Sequence, residues 1–278
     1  MNSKSSATPA VQPGVSHLLQ RRFSHVVFDF DGTLSWLRHG WPEMMFGVFS
    51  SHLPDGVDLG SPQVRDDLFG IIMGLNGMPT IMQMRRFSEY AASRGRSGLD
   101  PELLRQEFQR ILDGHILERS NNIQSGAVPC DAYVVAGARA LLGALKDGGA
   151  RLYILSSTVE HRVREEAALL GLSHFFEGRI FGSPLDPAGF TKRAVFERIL
   201  EEECVEGGRL LAFGDGPVEI AEAKRLGGAA VAVCTDEAVN GSGVCDPRKR
   251  EQLLGAGADV AVPDFNGVAG WAAPLIGT

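Results

Sequence analysis

Six short apolar runs punctuate the chain: His25 to Asp29, Arg151 to Ser156, Gly178 to Phe181, Arg209 to Phe213, Ala229 to Val233 and Asp259 to Val262. Most are continuous in Val, Ile, Leu or Ala rather than alternating with polar residues. That pattern predicts central strands of a parallel sheet, buried on both faces. Helical patterns lie between them. Tyr133 to Asp147 ends at Gly148-Gly149, Val159 to Leu170 at Gly171, and Val218 to Leu226 at Gly227-Gly228, glycines being common helix stops. Thr191 to Glu203 and Pro247 to Leu254 read as two more helices.

Strand and helix alternate from residue 133 onward, which predicts an α/β fold with a doubly wound, mostly parallel, Rossmann-like sheet. Residues 36–130 break this rhythm. Trp41 to His52, Val64 to Leu75, Pro79 to Arg94 and Pro101 to Glu118 all read as helices, and no strand pattern intervenes. Asp100-Pro101 is a good helix start, with Asp100 as N-cap and Pro101 at the first helical position. The expected organisation is therefore an α/β core from 23–35 and 131–278, interrupted by an all-helical cap over 36–130. Residues 1–22 are rich in Ser, Ala, Pro and Gly and read as a flexible N-terminal tail. This tail lacks the apolar centre of a signal peptide; being Ser-rich and free of acidic residues, it leaves a transit peptide open.

Composition narrows the function classes. Over 278 residues the chain is 44% hydrophobic and 22% charged, enough for a sizeable core, and its formal net charge of -7 argues against nucleic acid or membrane as a partner. Cys130, Cys204, Cys234 and Cys245 form no CxxC pair, so reduced cysteines in a cytoplasmic protein are expected. The histidines show no HxxxH spacing, which disfavours zinc. Nothing in the sequence sets the oligomeric state.

The chemistry concentrates where strands end. In VVFDFDGTL, Asp29 closes the first strand, Asp31 follows two residues later, and Gly32-Thr33 makes a turn. In an extended backbone, residues two apart share a face, so both carboxylates would look into one crevice. Their repulsion is relieved by a divalent cation or by a division of protonation. Ser156 ends a second strand, with Ser157 and Thr158 expected to open the next helix, where a hydroxyl and free N–H groups suit phosphate. Gly214-Asp215 ends another strand, with Glu219 four residues on, an acid pair suited to a hard cation. Lys192 begins a helix, a position the helix dipole disfavours for a cation unless an anionic site lies near. Taken singly, these features also fit a turn, an N-cap, a helix cap and a solvated Lys192-Arg193 pair.

Taken in order, Asp-x-Asp-Gly-Thr, a strand-end Ser, a Lys and a strand-end Gly-Asp resemble the haloacid dehalogenase-like hydrolase superfamily, in its phosphatase branch with a helical cap between the first two motifs. The resemblance covers about residues 24–35 and 131–265. It departs from the usual pattern at Glu219, where Asp is commoner. It implies a Mg²⁺-dependent phosphomonoester hydrolase acting on a small phosphorylated metabolite through an aspartyl-phosphate. Asp29 would be the nucleophile and Asp31 the acid and base. Gly32, Thr33, Ser156, Ser157 and Lys192 would bind phosphate. Asp29, Asp215 and the Asp31 backbone carbonyl would hold the metal, with Glu219 reaching a metal-bound water. Cap residues of this kind help choose substrates, and Arg38, Thr80 and Arg86 are the candidates here, from a group that includes Trp36, His39, Trp41, Gly77, Pro79 and Gln83. Competing readings are a phosphotransferase such as a sugar phosphomutase with the same intermediate, a phosphate-storing receiver, and a non-catalytic phosphate-binding relative.

Overall fold

The computed structural model describes residues 15–186 and 189–277. A short helix α1 (Val15–Leu18) precedes β1 (His25–Phe28). Val15 and Leu18 lie three apart, on one side of this turn, and both are fully buried in the main core. The expected tail is therefore shorter than its composition suggests, because this apolar pair docks. Residues 1–14 lie outside the described part.

Strands β2 (Arg151–Val159), β3 (Ile180–Ser183), β4 (Leu210–Gly214), β5 (Ala229–Val233) and β6 (Val260–Val262) complete one sheet in the order β3-β2-β1-β4-β5-β6. Every pairing is parallel. The chain winds outward from β1 to one side, then returns to β1's other flank at β4. Side chains alternate between faces: Val26, Phe28, Leu211, Phe213 and Val231 enter one core, while Val27, Tyr153, Ala212 and Ala230 enter the other. The Phe28 and Phe213 rings stack at 4.8 Å, locking the two central strands in register.

Between β1 and β2 come α2 (Trp41–Ser51), α3 (Pro62–Gly74), α4 (Thr80–Ser93) and α5 (Pro101–Gln124). They pack around a hydrophobic cluster of their own, in which Phe49 and Phe87 stack at 4.0 Å. Asp100 caps α5 as expected, accepting from the Glu102 N–H at 2.8 Å. The helix runs six residues past its expected end at Glu118.

The core helices are α6 (Ala138–Asp147), α7 (Glu160–Leu169), α8 (Ser173–Phe176), α9 (Lys192–Glu202), α10 (Pro217–Arg225), α11 (Pro247–Gly255) and α12 (Val268–Ala272). Two boundaries differ from the sequence pattern. Helix α6 starts at Ala138 rather than Tyr133, because Gly137 takes φ of 80° and passes so close to the Phe265 backbone that no Cβ fits. Strand β2 runs on to Val159, which pairs with Ser183 after a register shift. Ser157 and Thr158 thus sit on an irregular strand end, not at the start of α7. Gly182 permits this, since a Cβ there would run into Thr158 and Glu160 backbone.

Candidate active site

Strand pairing alone brings the first two acids together. Phe28 faces Phe213 across β1 and β4, so the residues just beyond them meet at the carboxyl edge of the sheet. The Asp29 N–H donates to the Phe213 carbonyl at 2.9 Å, and Asp215 follows one residue past β4. This is where strand order reverses, the place where open α/β sheets bind ligands.

Lys192 arrives from α9, whose first turn is capped by Thr191 accepting from the Ala194 N–H at 3.1 Å. Its Nζ donates to Asp29 Oδ1 at 2.7 Å and to Glu219 Oε2 at 2.9 Å. The other oxygen of Glu219 accepts from the Gly216 N–H at 2.7 Å. Glu219 therefore folds back over its own loop. A side chain at Gly214 would meet it, the Cβ falling 2.3 Å from Glu219 Cγ. The extra methylene of Glu over Asp is taken up by this fold-back.

All four groups are buried. Burial raises the Asp29 pKa well above the usual carboxylate range, with Lys192 opposing and Glu219 and Asp215 adding to the rise. Asp215 is pushed up to about 6, again chiefly by burial. Burial works against the charge on Lys192, yet Asp29 and Glu219 outweigh it and raise its pKa. Each of Asp29, Asp215 and Glu219 offers a carboxylate oxygen, and these oxygens lie within 4.8 Å of one another. Three hard oxygens converging in a buried, net-negative pocket fit Mg²⁺, which takes oxygen ligands and offsets like charge. Glu219 stands in this cluster itself, while the carboxylate of Asp31 does not.

Asp31 faces elsewhere. One of its oxygens accepts from the Arg38 guanidinium, and the other from Thr158 Oγ1 at 2.7 Å and Ser156 Oγ at 3.4 Å. Arg38 is in turn held by Glu166 through two bonds, 2.6 and 2.9 Å long. The substrate-selecting part expected of Arg38 is hard to reconcile with this: its fork is filled by two carboxylates.

The remaining expected residues divide. Ser156, Ser157, Gly32 and Thr80 line the same cavity as Asp29, Asp31, Lys192 and Asp215, whose volume is about 250 Å³. Gly32 takes φ of 75°, and a Cβ there would overlap the Asp215 carboxylate. Its N–H, however, donates to the Ser35 carbonyl at 2.9 Å, and that of Thr33 to Phe30 at 3.3 Å. The turn thus spends on itself the donors expected to hold phosphate, and the Thr33 side chain is fully buried. Arg86 is not at the site: it is exposed and paired with Glu89 at 2.9 Å. Six residues along α4 from Thr80 is a rotation of about 240°, which turns Arg86 outward. Trp36, His39, Trp41, Gly77 and Gln83 line the cavity too.

Several site residues carry no strong signal in the sequence. Lys249 sits in PRKREQ, which reads as a solvated basic face, yet it is fully buried. Its Nζ meets Glu237 Oε1 at 2.6 Å, Thr235 Oγ1 at 3.0 Å and Asp215 Oδ2 at 3.4 Å. Burial again opposes its charge, and Glu237 and Asp215 overcome that and raise its pKa. Glu237 also accepts from the Gly40 N–H at 3.1 Å, at the entry to α2. Asn76, between α3 and α4, donates to the Asp215 carbonyl at 3.2 Å. The helices inserted between β1 and β2 are thus tied to the Asp215 loop.

A family profile described as haloacid dehalogenase-like hydrolase matches residues 23–227. No curated protein matches the sequence. Among solved structures, a predicted phosphoglycolate phosphatase from Haemophilus somnus is similar at 18% identity and a TM-score of 0.58, covering 90% of this chain and 98% of its own. A HAD family hydrolase from Deinococcus radiodurans, with bound phosphate and sodium, is similar at 17% identity and a TM-score of 0.59, covering 91% and 97%. A conserved haloacid dehalogenase-like protein from Agrobacterium tumefaciens reaches 0.62 at 16% identity over 90% and 98%. At these identities the likeness establishes a shared fold.

Proposed function

The chain belongs to the haloacid dehalogenase-like hydrolases, and we propose that within them it is a magnesium-dependent phosphatase of a small phosphorylated metabolite. One observation carries the reading. Asp29 stands buried at the sheet edge, 2.7 Å from Lys192 and clustered with Asp215 and Glu219, in a cavity shared with Asp31.

The Asp29 carboxylate attacks phosphorus, the ester P–O bond breaks, and an aspartyl-phosphate forms. Asp31 gives a proton to the departing alcohol oxygen, then takes one from the water that hydrolyses the intermediate. Arg38 and Thr158 fix the direction of its carboxylate. Lys192 and the Ser156 hydroxyl hold phosphoryl oxygens as charge redistributes. Magnesium, held by Asp29, Asp215 and the Asp31 carbonyl with Glu219 beside them, would supply the positive charge that lets two anions meet. Glu219 also keeps Lys192 in place.

The test is turnover of p-nitrophenyl phosphate by the wild type and by Asp29→Asn, with and without chelator. Wild-type release of phosphate that stops on chelation, returns with Mg²⁺ and is absent from a folded Asp29→Asn variant is expected. Undiminished turnover by that variant refutes the nucleophile, and indifference to chelator refutes the metal.

A further inference from the structure

The cavity must accept a phosphate and the group to which it is esterified, and its walls say what that second group is. The described lining carries five carboxylates: Asp29, Asp31, Asp215, Glu219 and Glu237. Against them stand two permanent cations, Lys192 and Arg38, and both are committed. Lys192 bridges Asp29 and Glu219, and Arg38 is filled by Glu166 and Asp31. Among the described lining residues, no free cation remains on the cap side to receive a second anion.

Three polar side chains of that side point the same way, while the Trp36 indole N–H is buried without a partner. Gln83 donates its amide nitrogen to the Ile72 carbonyl at 2.7 Å, which leaves its amide oxygen for a ligand. Asn76 donates its nitrogen to the Asp215 carbonyl at 3.2 Å, again leaving the oxygen. Both assignments are fixed by the partner, since a carbonyl accepts only from the nitrogen. His39 Nδ1 lies 2.7 Å from the Trp36 carbonyl and so carries the ring proton, leaving Nε2 as a bare acceptor. Burial lowers the His39 pKa and favours that neutral form. Three residues thus present acceptors, and Phe108 and Leu112 add apolar wall to the same lining.

Acceptors pair with hydroxyl donors and repel carboxylates, and a buried carboxylate without a cation is costly. We propose that the leaving group is an uncharged, hydroxyl-bearing alcohol, a polyol or sugar, and that the cap selects against carboxylate-bearing esters of the same size. This rests on the phosphatase reading and narrows it. Discrimination of this kind is strong because the wrong group leaves buried polar atoms mismatched.

The test is kcat/KM of the full chain with Mg²⁺ on size-matched pairs: glycerol 3-phosphate against 3-phosphoglycerate, and glucose 6-phosphate against 6-phosphogluconate, with p-nitrophenyl phosphate as the reference ester. The neutral member of at least one pair should be favoured roughly tenfold or more, and no pair should favour the acid. Thr80→Lys, which adds a cation to the wall, should shift each ratio toward the acid. Equal or reversed ratios with the reference ester still hydrolysed overturn this inference and leave the phosphatase reading standing. Failure to hydrolyse the reference ester and all four substrates overturns that reading, and the inference falls with it.

Discussion

Glu166 grips Arg38 through both carboxylate oxygens, at 2.6 and 2.9 Å, and Arg38 meets Asp31 with the same guanidinium. Glu166 lies on α7, seven residues past the end of β2, and does not line the cavity. Its part is to aim Arg38, which aims Asp31. If Asp31 moves the proton, loosening this chain should slow chemistry more than binding. Glu166→Gln is expected to lower kcat by roughly ten- to a hundredfold with KM little changed. Steady-state kinetics on p-nitrophenyl phosphate checks it. A proportional rise in KM with unchanged kcat would mean that the pair shapes the pocket and nothing more.

Lys249 raises a stability question. Its ammonium is fully buried and balanced by Glu237 and Asp215. Removing one member of a buried ion pair costs about 3–5 kcal/mol, because the other charge stays behind unpaired. Lys249→Met should therefore lower Tm by roughly 10 °C in a chain of this size. Adding Glu237→Gln should restore more than half of the loss, since it removes the nearer of the two stranded carboxylates, at 2.6 Å against 3.4 Å for Asp215. Thermal denaturation of the two singles and the double variant closes the cycle. Additive losses would place the damage in packing.

How far these features were legible in the sequence depends on what fixes each. Asp29, Ser156, Lys192 and Asp215 were readable because strand ends and helix starts are local signals, and parallel pairing then carries them to one edge. The six strands were readable because both faces are buried and the runs are continuously apolar. Lys249 and Glu166 were not, since each sits in a run of charges and only tertiary contact buries it. Arg86 was misplaced because composition marks a residue as available, whereas its angle around α4 decides where it points. Gly137 and the extension of β2 depended on contacts with Phe265 and Ser183, far along the chain.

The turn between α3 and α4 presses on the Asp215 loop through a glycine. Gly77 has φ of 80°, and a Cβ would lie 2.7 Å from Pro217 Cδ. An alanine there pays about 1 kcal/mol for the left-handed backbone and must also push the cap away from Pro217. The turn would lift, and the Asn76 bond to the Asp215 carbonyl would break. Gly77→Ala is expected to reduce kcat/KM by at least about tenfold while Tm changes by only a few degrees. Kinetics and melting measured side by side distinguish this from general unfolding. A variant with full activity would show that the cap need not touch this loop during turnover.

The acid side of the stability curve has a contributor far from the cavity. His25, at the start of β1, lies flat on Tyr153 with its centroid 6.0 Å away, and its Nε2 is buried without a partner. Burial comes first in pushing its pKa down from 6.5 to about 4, and Arg151, Arg209 and Arg179 add to the effect. Glu203, 3.9 Å from Nε2, does not cancel them. The folded state therefore prefers the neutral ring. Above pH 6.5 the ring is neutral in both states and costs nothing. As pH falls from 6.5 toward 4, the unfolded chain takes up a proton that the fold refuses, so stability drops, and below 4 the full loss is present. His25→Phe keeps a flat ring on Tyr153 and removes the titration. Urea unfolding of both proteins from pH 7 to pH 4 should give curves that diverge, with the wild type losing stability faster on the way down. Parallel curves would mean that the ring accepts its proton inside the fold.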